Sequence, residues 1–232
     1  MPTSIVSALD ELWKRVQERP LYAPPNFFKY IKLRAQTRLQ IIDPSSVSTC
    51  APVGKINDCS NCLNNCCVGP RSIVLLRLRD IASLIDVKRT DLITHEKPTF
   101  SEDELSDRPA LRRQTSSAGW QIFPILKRTA YGACLALTEE GRCSLYPHWP
   151  LSCARFPYAF HAEDREVFYS PRCDSFWIRS DGQERAEVMA AHAVVSYNER
   201  IKDLILMAYA MDELTALGLT KYLRIDASQR VL

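Results

Sequence analysis

Four cysteines, Cys59, Cys62, Cys66 and Cys67, fall within nine positions of the stretch DCSNCLNNCCVGP (58–70). No other feature constrains the fold of this 232-residue chain so tightly. Thiols at that density are cross-linked, bound to metal, or chemically reactive. Cross-linking fits poorly. The chain holds nine cysteines, an odd number, and neighbours such as Cys66 and Cys67 do not close an unstrained bond with each other. The N-terminal stretch carries Asp10, Glu11 and Glu18 and has no apolar run of signal-peptide length. The sequence therefore predicts a reducing, cytoplasmic setting, where structural disulfides are rare. A chain of this length also buries a core without staples.

Metal binding fits better. On helical spacing Cys59, Cys62 and Cys66 stand at i, i+3 and i+7, so three sulfurs share one stripe and converge as a soft metal requires. Tight turns bring the same three together equally well. Cys67 points elsewhere, as a ligand to a second centre or as a buried thiol. Downstream come Cys134, Cys143, Cys153 and Cys173, while Cys50 stands apart in a loop and reads as a spectator. The eight thiols other than Cys50 are the predicted metal ligands. They form two sets of four, matching two Cys₄ sites, or one four-ligand cluster with four bystanders. His148 is the first candidate to replace a thiol. A Cys153 nucleophile served by His148 or His161 is the reactive-thiol alternative. Arg142, Arg155 and Arg172 sit beside downstream cysteines, where guanidinium groups offset the negative charge of a thiolate centre and lower thiol pKa values. The order C-x2-C-x3-C reverses the C-x3-C-x2-C run of radical enzymes that cleave S-adenosylmethionine, so it does not imply radical chemistry.

Other classes are disfavoured. Thirty basic against 27 acidic residues leave a net charge of only +3, too little to argue for nucleic acid. Seven glycines with no G-x-G argue against dinucleotide and phosphate-cradling loops. The longest apolar run, Leu204–Met211, is far short of a membrane span and reads as core or as a dimer interface.

Apolar spacing predicts a helix over 4–18, through Ile5, Leu9, Leu12, Trp13 and Val16. The basic, aromatic stretch FFKYIKLRAQTRLQII (27–42) reads as a solvated face over packed rings. Residues 43–54 read as a loop, 72–78 as a buried strand, and 78–87 as a helix. Residues 97–119 are polar, with capping-box spacing at Ser101 to Glu104, and are expected to be the most mobile part. A strand is expected within 119–130, and a hairpin turning at Glu139-Glu140-Gly141, which would bring Cys134 and Cys143 close. Residues 151–179 read as irregular. A helical pattern runs from Gln183 to Leu217, closed by Gly218, with a break expected near 196–198. Asp10, Glu11, Asp203, Asp212 and Glu213 read as solvated, and His95 and His192 as surface or packing residues.

The combined pattern resembles a known family. Cys59-x2-Cys62-x3-Cys66-Cys67, then Cys134, Cys143 with Tyr146, Trp149-Pro150, Cys153, Arg155, Phe156-Pro157 and finally Cys173 resemble the YkgJ-type cysteine-cluster family over roughly residues 55–175. That family is described as zinc- or iron-chelating. Trp149-Pro150 stands where it usually has Arg-Pro, and Ala154 intervenes before Arg155 where it usually has arginine directly after the cysteine. A flagellin lysine N-methylase contains a similar cysteine segment and is associated with an iron–sulfur cluster. The resemblance implies a metal- or iron–sulfur-binding protein in metal handling, cluster-dependent maturation or electron transfer. The alternatives are a cluster-dependent protein-modifying enzyme, lysine N-methyltransferase-like, and a zinc-stapled interaction module. A [4Fe–4S] cluster is favoured over Zn²⁺, through the methylase analogy and the adjacent Cys66–Cys67 pair. The expected fold is α+β, a helix-rich single domain with short strands around a cysteine-ligated centre. Its stretches are a lead-in helix (1–54), a cysteine-cluster region (55–179) and a helical extension (180–232). A protein partner or substrate is expected, with a homo-oligomer through the C-terminal helix as an option.

Overall fold

The computed structural model describes residues 4–18, 31, 35, 40–49, 55–57, 67–68, 73–96, 123–130, 132–169, 176–178 and 182–224. Its helices are α1 (Ile5–Glu18), α2 (Leu78–Asp86), α3 (Leu151–Ala154), α4 (Gly182–Tyr209) and α5 (Met211–Ala216). Its strands are β1 (Ser48–Thr49), β2 (Lys55–Asn57), β3 (Ile93–Thr94), β4 (Ile125–Leu126), β5 (Tyr158–His161), β6 (Glu166–Tyr169) and β7 (Phe176–Ile178). The architecture is α+β, helix-rich with short strands, as the composition of elements in the sequence anticipates.

Helices α1 and α2 form where apolar residues recur at helical spacing, and the stripes they bury face each other: Leu9, Leu12 and Val16 against Leu78, Ile81 and Leu84. The start of α1 is capped from outside as well as within. Ser4 Oγ accepts the Ser7 N–H (3.1 Å), while the Ile5 and Val6 N–H groups donate to the Asp86 carboxylate at 2.7 and 3.1 Å. Amides with no acceptor inside α1 are thus satisfied by the last residue of α2.

Helix α4 joins two cores. Ile201, Ile205 and Leu206 enter the larger one with α1, α2 and Leu214 of α5. Ala190, Ala193 and Val194 enter the smaller one with Ile42, Tyr158 and Val167. The break expected near 196–198 is not there. The chain leaves helical geometry at Ala210 (φ −142°, ψ 33°), between α4 and α5. Within α4, Asn198 is buried and its amide serves another segment, accepting the Ile42 N–H (2.9 Å) and donating to the Ile42 carbonyl (2.7 Å). Asn198 is therefore an anchor within the helix and does not end it. Gly218 ends the helical run as expected, at φ +72°, a conformation glycine adopts without Cβ strain.

The expected irregular stretch 151–179 is also corrected. It contains α3 and the β5–β6 hairpin, in register Tyr158↔Tyr169 to His161↔Glu166. Alternation explains it: Tyr158 and Val167 are buried and Phe160 and Tyr169 pack against them, while Phe168 faces outward. Strand β1, within the expected loop 43–54, pairs in parallel with β6. β2 pairs with β7, and β3 with β4, both antiparallel. The strand expected at 72–78 contracts to one bridge, Leu75 to Ile125, flanked by Leu76 N–H to Pro124 O and Leu126 N–H to Val74 O (both 2.9 Å). It has no room to continue, because α2 begins at Leu78. The 97–119 segment and most of 27–42 lie outside the described residues.

Candidate metal centre

Of the eight expected ligands, Cys67, Cys134, Cys143 and Cys153 are described, while Cys59, Cys62, Cys66 and Cys173, with the spectator Cys50, lie outside the described residues. The four described cysteines border the larger core; Cys134 is part of it and the others pack against it. No disulfide joins any two of them. The Cys134 N–H donates to the Cys67 carbonyl at 2.7 Å, so the last cysteine of the cysteine-rich stretch is tied by its backbone to a cysteine 67 residues further on.

The expected hairpin closes where the sequence placed it. The Thr138 N–H donates to Arg142 O (2.8 Å) and the Gly141 N–H to Thr138 O (3.0 Å), with Gly141 at φ +74°. Its consequence for the thiols differs from expectation. Cys143 bridges to Leu137 and Cys134 to Arg128, so Cys134 and Cys143 are not cross-strand partners. A turn closed by Leu137 N–H to Cys134 O (3.0 Å) takes up Cys134 before the hairpin begins.

Cys153 rides on α3, a single turn closed by the Cys153 and Ala154 N–H groups donating to Pro150 O (2.8 and 2.9 Å). Arg155 follows. Burial lowers its pKa, as does the neighbouring Arg77, whereas Cys153 acts in the opposite sense. Its Nη1 donates to Tyr158 O at 2.7 Å. Arg142 is exposed, and Arg172 lies outside the described residues. His148 is exposed. Among the described residues, no three His, Cys, Asp or Glu side chains are grouped to hold a metal ion.

Beside α3 lies a charged group that sequence reasoning missed. Asp203, expected at a solvated face, is 1% exposed and lies 3.9 Å from Arg77 Nη1. It accepts the Leu78 N–H, and its Oδ2 has no hydrogen-bond partner among the described residues. Burial raises its pKa well above the usual carboxylate range, and the nearby Arg77 only partly opposes this. Asp80 is buried as well; desolvation pushes it up to about 6 despite hydrogen bonds from the Arg77 and Leu151 backbones. Glu199, also buried, pairs with Lys202 at 2.6 Å. Arg77 lies over the Phe123 ring, 5.2 Å from its centroid. A trace was present in the sequence: Glu199, Asp203, Leu206 and Ala210 follow i, i+4, i+7, i+11 along one helix stripe, and Asp80 stands four residues from both Leu76 and Leu84. Carboxylates on apolar stripes are the mark of a buried polar group.

Helices and short strands that bring cysteines from separate segments against one core make a cysteine-cluster domain. The chain belongs to the CxxCxxCC family, described as a zinc- or iron-chelating domain, whose family model matches residues 58–174, about half of the sequence. Neither a curated protein nor a solved structure matches the chain. Metal binding is thus the activity of the class. Among the described residues no helix is long and apolar enough to cross a membrane.

Proposed function

We propose that the chain binds iron in [4Fe–4S] form and that its ligands come from Cys59, Cys62, Cys66, Cys67, Cys134, Cys143, Cys153 and Cys173, four of them holding one cluster or all eight holding two. Its roles would be metal handling, cluster-dependent maturation or electron transfer in a reducing compartment. The observation that carries this reading is the 2.7 Å backbone bond joining Cys67 to Cys134. It brings the backbone of Cys134 to Cys67, the last cysteine of the CxxCxxxCC stretch. The donor chemistry fits: soft thiols, no disulfide among those described, and a guanidinium beside Cys153 to offset thiolate charge. Because the described residues contain no grouped trio of donors, a complete centre draws on Cys59, Cys62, Cys66 or Cys173 as well. When bound, such a cluster supplies one-electron chemistry.

Anaerobic purification, with elemental analysis and a visible spectrum on one sample, tests the reading. Iron with sulfide and a broad visible band is the expected outcome. Colourless protein with zinc alone would replace it with the zinc-stapled interaction module. That second reading has its own support in Tyr146 and Trp149, 68% and 43% exposed, whose rings meet edge-on at 5.2 Å on the loop between Cys143 and Cys153. Exposed aromatic pairs of this kind suit a protein partner. Leu204, half-exposed on α4, is the corresponding candidate for self-association.

A further inference from the structure

We propose that Asp80 is the residue that positions Cys153 for metal, a role that rests on the metal-binding reading above. Asp80 occupies the first turn of α2 and is 4% exposed. Its Oδ2 accepts the Arg77 N–H at 2.8 Å, which is ordinary capping of its own helix. Its Oδ1 accepts the Leu151 N–H at 2.9 Å, from a segment 71 residues away. A carboxylate needed only as a cap sits at the surface, where it keeps its water. Burying one is costly, and both oxygens here are occupied by backbone donors.

The second bond falls at a decisive place. Leu151 is the first residue of α3, and the amides of a first turn have no acceptor within their own helix. Helix α3 has four residues, too few to hold itself by propensity. Its one turn winds around the Pro150 carbonyl, which accepts from Cys153 and Ala154. Fixing the Pro150–Leu151 peptide therefore fixes Cys153, and with it Arg155. The Ser152 hydroxyl adds a weaker tie, donating to Leu75 O at 3.5 Å.

Two substitutions test this from opposite ends of the bond. Asp80→Asn puts an amide in place of the carboxylate, so one of the two N–H donors loses its acceptor. Leu151→Pro removes the donor and leaves Asp80 intact; proline is compatible there, at the first helical position after a Pro150 already extended (φ −57°, ψ 146°). The full chain, as purified, is exposed to excess EDTA and, separately, to iodoacetamide with alkylation read at each cysteine by mass spectrometry. Both variants should release metal about tenfold faster than wild type, in the range usual for residues supporting a ligand. Cys153 should be alkylated several-fold faster, by a clearly larger factor than Cys67 and Cys143, which are unmasked only as metal leaves, and the double variant should be no worse than the more impaired single one. Unchanged metal release and Cys153 reactivity would overturn the proposal. So would equal acceleration at all three cysteines, which marks general loosening. If the wild-type chain carries no metal, the metal-binding reading fails, and alkylation at Cys153 alone decides whether Asp80 positions that thiol.

Discussion

Asp203 shows how much a single residue's setting departs from its type. It is an aspartate on a helix rich in charged neighbours, yet it is buried against Arg77 with one oxygen unpartnered among the described residues. Its raised pKa sets the sign of a pH effect. The folded chain holds this proton more tightly than the unfolded chain, whose aspartates titrate near 4. The contribution is therefore fully present at low pH and is lost as pH rises from about 4 through the folded-state value. Asp80 acts in the same direction up to about 6. Asp203→Asn cannot titrate, so its stability relative to wild type should improve progressively as pH rises from about 4 to 7. Urea midpoints across that range measure it, and the thiols, which titrate alike in both proteins, cancel in the difference. A pH-independent difference would show that the carboxyl ionises as freely folded as unfolded.

At the scale of elements, local pattern was readable and distant partnership was not. The periods of α1 and α2, the turn at Gly141 and the stop at Gly218 all rest on residues within a few positions of one another, and each appears where the spacing placed it. The β5–β6 hairpin also had a period-two pattern in YAFHAEDREVFY, but the aromatic density around it hid the alternation. The continuity of α4 past Asn198 was not readable, because the amide's partner is Ile42, 156 positions away. The same holds for the Asp86 cap on α1. Asn198→Ala removes both bonds to Ile42 and strands a buried N–H and C=O. It should cost about 2–4 kcal/mol, from a net loss near 1 kcal/mol per bond and more for the groups left unsatisfied. Chemical denaturation gives the value; a loss under about 0.5 kcal/mol would mean that water replaces the amide.

For the molecule as a whole, the cysteines told which chemistry to expect and little about how the ligands meet. The CxxCxxxCC spacing and the downstream thiols are visible in any reading of the sequence. Which cysteines come near one another depends on backbone contacts such as Cys67 with Cys134, whereas the hairpin alone suggested Cys134 with Cys143. The nearness of Arg155 to Cys153 could be read from sequence adjacency; that of Arg77 and Asp80 to this segment could not, since they reach it only through the fold. If coordination stabilises the fold, the loss of one ligand should be felt globally. Cys134→Ser should lose metal and fall in thermal stability together, since apparent binding energies for structural zinc alone are about 10 kcal/mol or more. Cys50→Ser should retain wild-type metal content and melting temperature.

The most direct measurement is X-ray absorption at the metal edge of the anaerobically purified chain, which reads the donor atoms themselves. An iron edge with a first shell made only of sulfur is the predicted result. A shell dominated by nitrogen or oxygen, or a chain that carries no metal, would contradict a thiolate-held cluster.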